Sequence, residues 1–147
     1  MARFNASFDG GSRGNPGLAA WGVAVFDDDG KCLERHAGTI GKATNNVAEY
    51  NGLLEALRLA VDRNAEEVRL RSDSELIVRQ LEGRYRVKHP DLKPLFAEAK
   101  SAIAKFALFK IEHVRRAENK EADALVNEAL DQRSDALEDD EVRIREC

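Results

Sequence analysis

Residues 4–30 read FNASFDGGSRGNPGLAAWGVAVFDDDG, and the way this stretch folds decides the class of the whole chain. Phe4, Ala6 and Phe8 alternate with polar residues, the period of a strand with one buried face, and the alternation stops at Asp9-Gly10-Gly11. Ala19 to Phe26 is a mostly apolar run closed by Asp27-Asp28-Asp29-Gly30, a hairpin signal. Lys31 to Ala37 returns as a third, more polar strand. The chain therefore opens with three antiparallel strands, the first of them ending at Asp9.

Outward from there the period changes. Val47, Tyr50, Leu53, Leu54, Leu57 and Val61 fit one face of a helix, with Asn46 as its N-cap. Glu67 to Ser72 alternates and is short, a fourth strand. A brief helix over Ser74 to Leu81 ends at Gly83. Asp91 to about Lys105 reads as another helix, Ala107 to Val114 as a fifth strand and Asn119 to Leu130 as a final amphipathic helix. The expected fold is α/β, a five-stranded mixed sheet flanked by helices in the order β-β-β-α-β-α-α-β-α. Residues 1–131 form one domain on this reading, and 132–147 are a C-terminal tail or a short added strand docked on the sheet.

With 147 residues, 43% of them hydrophobic and 34% charged, the composition is that of one globular domain. No apolar run approaches the roughly 18–20 residues of a membrane helix, and Met1-Ala-Arg-Phe-Asn lacks the apolar segment of a secretory signal. The expectation is a cytoplasmic monomer with no membrane contact and no obligate protein partner. Cys32 and Cys147 are too few for a disulfide framework or a zinc site; they could pair if the tail docks, and a reducing cytosol favours two free thiols. The net charge of −4 argues against a nucleic-acid binder until it is divided along the chain. Residues 84–116 carry nine Lys and Arg against three Asp and Glu, a basic middle between acidic flanks that could meet a polyanion through one face.

The chemistry lies in where four acids fall. Asp9 and Asp73 each close a strand, at the sheet edge where α/β proteins build sites. Glu49 lies four residues before Leu53 and seven before Ala56, on the face that should be buried. Asp123 repeats the anomaly, three before Val126 and seven before Leu130. Each has a bland explanation: Asn46-x-x-Glu49 and Ser72-x-x-Glu75 resemble capping boxes, Asp123 lies near a helix start, and Asp9 could begin a turn. A buried carboxylate without a partner nevertheless costs several kcal/mol, and two helices carrying that cost suggest a shared cation. Oxygen ligands without His or Cys describe a hard-cation site, Mg²⁺ or Mn²⁺, and two such ions suit phosphodiester hydrolysis. Asp9 to Gly17 places four glycines in nine residues, so backbone can approach a ligand closely. It lacks the Gly-Lys-Ser/Thr ending of a P-loop. Thr44-Asn45-Asn46 sits at a helix N-terminus, where N–H groups and amides can hold a phosphate or a ribose hydroxyl.

Taken together, Asp9-Gly-Gly-Ser12…Gly14-Asn15-Pro16-Gly17, Thr44-Asn45-Asn46-x-x-Glu49, Ser72-Asp73-Ser74 and Asn119-Lys-Glu-Ala-Asp123-Ala-Leu resemble the four motifs of type 1 ribonuclease H. The resemblance spans about residues 3–130 and includes the order of elements. It implies endonucleolytic cleavage of the RNA strand of RNA–DNA hybrids with Mg²⁺ or Mn²⁺, two ions with substrate bound, leaving 5′-phosphate and 3′-hydroxyl ends. It implies that Asp9, Glu49, Asp73 and Asp123 are the catalytic, metal-binding carboxylates. Ser12, Asn15 and Asn45 would then read 2′-hydroxyls in the minor groove, with Thr44 near the DNA phosphate and Asn46 near the RNA strand. An amide can donate to and accept from a 2′-hydroxyl, the group that tells RNA from DNA.

Three departures from the family pattern stand out. The region after Gly83 is too short for an extra basic helix, leaving Arg84, Arg86, Lys88 and His89 in its place. The loop before Asp123 is shortened where many members carry a mobile histidine. His113 reads as a structural strand residue, so Arg116, or else Arg115 or Glu118, is the candidate replacement. Glu75 stands where a glutamine is common. Trp21 and Tyr50 read as core. The alternatives are another nuclease on the same fold, against which the Gly-Asn-Pro-Gly and Thr-Asn-Asn motifs weigh, and a non-catalytic hybrid-binding module, against which the four retained carboxylates weigh.

Overall fold

The opening hairpin is realised, and the strand that leads into it is longer than its alternation suggests. The computed structural model describes residues 2–136 and 142–145, with side chains from 2 to 132. β1 (Arg3–Gly14), β2 (Gly17–Phe26) and β3 (Cys32–Ala43) form an antiparallel meander. α1 (Asn45–Asp62) leads to β4 (Glu67–Ser72), which pairs parallel with β1. After α2 (Glu75–Leu81) and α3 (Lys93–Ile103), β5 (Leu108–His113) pairs parallel with β4. A 3₁₀ turn over Arg116–Glu118 precedes α4 (Lys120–Ala136), and β6 (Val142–Arg145) pairs antiparallel with β3. The sheet order is β5-β4-β1-β2-β3-β6.

The α/β class, the mixed sheet and the element order through α4 agree with the sequence reading, and five details differ. The sheet has six strands rather than five because, of the two alternatives for the tail, the docked strand is realised: residues 142–145 join the far edge, Arg35 opposite Arg145 and Gly38 opposite Val142. α4 runs to Ala136, past Leu130 and across the expected boundary at 131. The cap of α1 is Thr44, whose hydroxyl accepts from the Val47 N–H at 3.2 Å, so Asn46 lies inside the first turn. Cys32 is disulfide-bonded rather than a free thiol; Cys147 lies outside the described residues.

A fifth difference matters most. The Asp9-Gly10-Gly11 sequence is not a turn: β1 continues through it to Gly14, with Asp9 opposite Gly22 and Gly10 opposite Trp21. The chain reverses at Asn15-Pro16, a cis peptide bond, with Gly14 at φ +96°. The glycine inside the strand serves close packing instead. A Cβ on Gly10 would stand 2.1 Å from the Ala48 carbonyl oxygen, because α1 rests its backbone directly on β1 there.

Two cores lie on the two faces of the sheet. Phe4, Phe8, Trp21, Val23, Val68 and Leu70 pack against Tyr50, Leu53 and Leu57 of α1 and Ile77 of α2. Ala20 and Ala37 pack against Leu125, Val126, Ala129 and Leu130 of α4 on the other face. Trp21 and Tyr50 are core residues, as their apolar neighbours suggested, and the Tyr50 hydroxyl donates to Gln80 Oε1. No helix among the described residues is long and apolar enough to cross a membrane.

This packing predicts opposite outcomes at neighbouring glycines. Gly10→Ala forces α1 off β1 and should destabilise the fold by about 2 kcal/mol or more in urea or thermal denaturation. At Gly11 the added methyl meets Val126 Cγ1 at 3.5 Å and Asn45 Oδ1 at 3.9 Å, ordinary contacts. Gly11→Ala should stay within about 0.5 kcal/mol of the parent. Equal effects at the two positions would contradict the backbone-on-backbone contact.

Candidate active site

Four acids from four elements are brought around the middle of β1. Ser7 pairs with Arg71 across the parallel β1–β4 ladder, so continuing that register two residues sets Asp73, just past the end of β4, beside Asp9. Glu49 follows from the α1 contact: Gly10 lies against Ala48, and a Cβ on Gly52 would stand 2.6 Å from the Asp9 carbonyl oxygen. Asp123 follows from α4 on the opposite face. Gly22, the register partner of Asp9, lies under Ala122 and Leu125, with room for no Cβ against the Ala122 carbonyl oxygen at 2.7 Å. Glu49 does not take the capping role that its spacing allowed, and Asp73 precedes the cap of α2. Thr44 and Ser74 are the caps, the Ser74 hydroxyl accepting from the Ile77 N–H at 3.2 Å.

The electrostatics record this convergence. Asp9 is 4% exposed. Burial first, then repulsion from Asp73, pushes its carboxyl up to about 8; Glu49 and Asp123 push the same way, and the Gly10 N–H pulls back. Burial also pushes Glu49 up to about 7, with Asp73 adding to the rise and the Ser74 hydroxyl and Arg116 opposing it. Glu49 Oε2 and Asp73 Oδ2 are buried without a hydrogen-bond partner. Orphaned acceptors of this kind are what a cation relieves. Among the described residues, however, no three Asp, Glu, His or Cys side chains are arranged to close on one point. The donor chemistry, all carboxylate oxygen with two orphaned atoms, fits a hard divalent cation that would draw the side chains inward.

A polar rim borders the acids. The Asn45 side-chain oxygen accepts from the Ser12 N–H at 2.8 Å and from the Ser12 hydroxyl at 3.2 Å. The Asn15 side-chain oxygen accepts from the Asn45 N–H at 3.0 Å. Both amide oxygens are therefore spent on the protein, and among the described residues neither Asn15 nor Asn45 Nδ2 donates to a protein acceptor. Asn46 is exposed in the first turn of α1, beside the cap Thr44.

Of the three candidates in the 114–119 loop, one reaches the acids. Arg116 Nε stands 3.7 Å from Asp73 Oδ2, with its side chain 78% exposed. Arg115 and Glu118 pair with each other at 3.2 Å instead. His113 ends β5 and is exposed, so it is a strand residue but not a core one. Two features were not read from the sequence. Ser74 both caps α2 and contacts Glu49. Asn119 is 1% exposed, and its Nδ2 donates to the Phe8 carbonyl oxygen at 2.9 Å. An Asn at a helix start signals a cap, and nothing in its spacing signals a contact with a strand 111 residues away. A groove of about 1230 Å³ lies over Asn5, Ser7, Arg69, Arg71 and Lys110, and none of the four carboxylates lines it.

A family profile described as "Reverse transcriptase-like" matches residues 7–129. The chain is 46% identical over 129 residues to a protein named ribonuclease HI from Halobacterium salinarum, a match covering 88% of this chain and 65% of that one. It thus spans just under two thirds of that relative's length. The crystal structure of RNase H1 from the same archaeon aligns with a TM-score of 0.85 at 45% identity, covering 89% of this chain and 99% of that one. The N-terminal RNase H domain of a Mycobacterium tuberculosis protein aligns at 0.87 with 42% identity, covering 94% and 100%. LC11-RNase H1, isolated from compost and solved in complex with RNA/DNA hybrid, aligns at 0.83 with 42% identity, covering 92% and 99%.

The raised Asp9 pKa sets the direction of a stability test. Between the unfolded value near 3.8 and the folded value of about 8, the folded chain holds a proton that the unfolded chain has lost, so stability falls as pH rises. Asn cannot ionise. In the presence of a chelator, Asp9→Asn should be more stable than the parent, by about 1–3 kcal/mol at pH 8 and by less at pH 5. A gap that stays constant or narrows toward pH 8 in thermal denaturation would mean that the Asp9 charge is already compensated.

Proposed function

The chain belongs to the type 1 ribonuclease H family, and we propose that it is an endoribonuclease hydrolysing the RNA strand of RNA–DNA hybrids. The observation that carries the reading is the convergence of Asp9, Glu49, Asp73 and Asp123 beside Asn15 and Asn45, whose amide oxygens are held by the protein. The hybrid bound to LC11-RNase H1 supports the choice of substrate.

Asp9, Glu49, Asp73 and Asp123 would hold Mg²⁺ or Mn²⁺, two ions once substrate is bound. Such ions supply a lowered pKa for the attacking water and charge neutralisation at the scissile phosphate. The carboxylates must be ionised to do this, and the pKa values of about 8 and 7 for Asp9 and Glu49 mean that cation uptake releases protons. Water attacks phosphorus in line, the bond from phosphorus to O3′ breaks, and the leaving oxygen takes a proton, giving 5′-phosphate and 3′-hydroxyl ends. Asn15 and Asn45 Nδ2, with Ser12 buttressing Asn45, would donate to the 2′-hydroxyl and base acceptors of the minor groove. Thr44 and Asn46 at the α1 N-terminus would face the DNA phosphate and the RNA strand. Arg116, exposed and beside Asp73, would take the place of the mobile histidine, attracting the phosphate and easing release of the new 5′ end. Arg84, Arg86 and Lys88, with the exposed Tyr85 between them, would add backbone contacts on the rim. We read the enzyme as a cytoplasmic monomer.

A labelled circular RNA strand annealed to DNA tests this directly, because an exonuclease has no end to start from. Metal-dependent conversion to linear RNA with intact DNA is expected, with kcat lowered about 10²–10³-fold by Asp9→Asn and about 10-fold by Arg116→Ala. Intact circles in Mg²⁺ and in Mn²⁺ would contradict the reading.

A further inference from the structure

Asn119 is among the most deeply buried polar side chains, and half of its amide is unsatisfied. Nδ2 donates to the carbonyl oxygen of Phe8, the residue before Asp9, while Oδ1 is buried with no partner. Its backbone carbonyl accepts the Asp123 N–H at 3.1 Å, the hydrogen bond that opens α4. One residue therefore ties the peptide preceding Asp9 to the turn that carries Asp123. A buried amide with one orphaned atom gives back in desolvation much of what its single hydrogen bond gains, so stability alone is a poor account of it.

We infer that Asn119 is a positioning residue. By clamping the start of α4 to β1 it sets the placement of the Asp123 carboxylate relative to Asp9, and through that the affinity for the divalent cation. The inference rests on the cation role proposed for those two acids. Gly22 brings α4 down onto β2 at Ala122 and Leu125, and the Asn119–Phe8 bond adds a tie from the start of α4 to β1, the strand that carries Asp9. Groups that orient metal ligands typically contribute about 10–100-fold in affinity or activity.

The test is a calorimetric Mn²⁺ titration of the full chain, parent beside Asn119→Leu and Asn119→Ala, with Ala129→Gly loosening α4 away from the acids. Both Asn119 variants should raise the Mn²⁺ Kd roughly 10–100-fold, with Tm within about 3 °C of the parent. Ala129→Gly should lower Tm and keep the parent Kd. On hybrid, the Asn119 variants should lose kcat, with KM within about twofold. The titration needs no substrate, so an inert hybrid with an altered Kd would sink the substrate reading and leave this one standing. A parent-like Kd in a folded Asn119 variant overturns the inference. So does an equal Kd change in Ala129→Gly, collapse of both Asn119 variants, or a parent chain that takes up no Mn²⁺.

Discussion

Two helices meet the sheet with backbone against backbone, and everything at the site depends on it. α1 touches β1 through Gly10 and Gly52, and α4 touches β2 through Gly22, which is the register partner of Asp9. Even a methyl at any of the three would clash with the facing backbone and push its helix off the sheet. Because none is there, Glu49 and Asp123 arrive next to Asp9 from opposite faces of the sheet, and the parallel ladder with β4 delivers Asp73. The same closeness buries Asp9 and half-buries Glu49, Asp73 and Asp123. The charges of four carboxylates are thus crowded into a partly desolvated volume, and Asp9 and Glu49 hold their protons more tightly. Free energy that tight packing would otherwise contribute is offset by the cost of crowding and burying those charges.

That cost gives the surrounding groups their meaning. Arg116 and the Ser74 hydroxyl act against the rise in the Glu49 pKa, and the Gly10 N–H acts against that of Asp9. They do not abolish it: the two groups remain at about 8 and 7, and oxygens of Glu49 and Asp73 lack hydrogen-bond partners. A protein selected for stability alone would bury leucine here. Residues that violate local rules at one place, on four separate segments, are the usual mark of a functional site.

Much of this was legible in the chain, for identifiable reasons. The α/β order followed from period, since alternation at Phe4-Ala6-Phe8 and helical spacing from Val47 to Val61 survive in the fold. The acids were conspicuous because Glu49 and Asp123 sit on apolar stripes. What misled was local chemistry with two meanings. A Gly-Gly pair after a strand suggests a turn as readily as close packing, and only the partner helix decides. Asn46 and Thr44 are both good caps, and the choice depends on where α1 leaves β3. β6 was one of two alternatives, suggested by the alternation Val142-Arg143-Ile144-Arg145, and the partner edge offered by β3 decides between them. The Asn119–Phe8 contact spans most of the chain and was beyond any window of sequence.

The central claim is that four carboxylates on four elements make one cation site. Paramagnetic broadening by substoichiometric Mn²⁺ in an amide NMR spectrum reads this without substrate or mutation. The account predicts early loss of the Gly10, Ala48, Ser74 and Ala122 signals, residues distant in sequence and next to the four acids. Broadening that begins instead at the Asp27–Asp29 turn, or spreads evenly over the acidic surface, would contradict it.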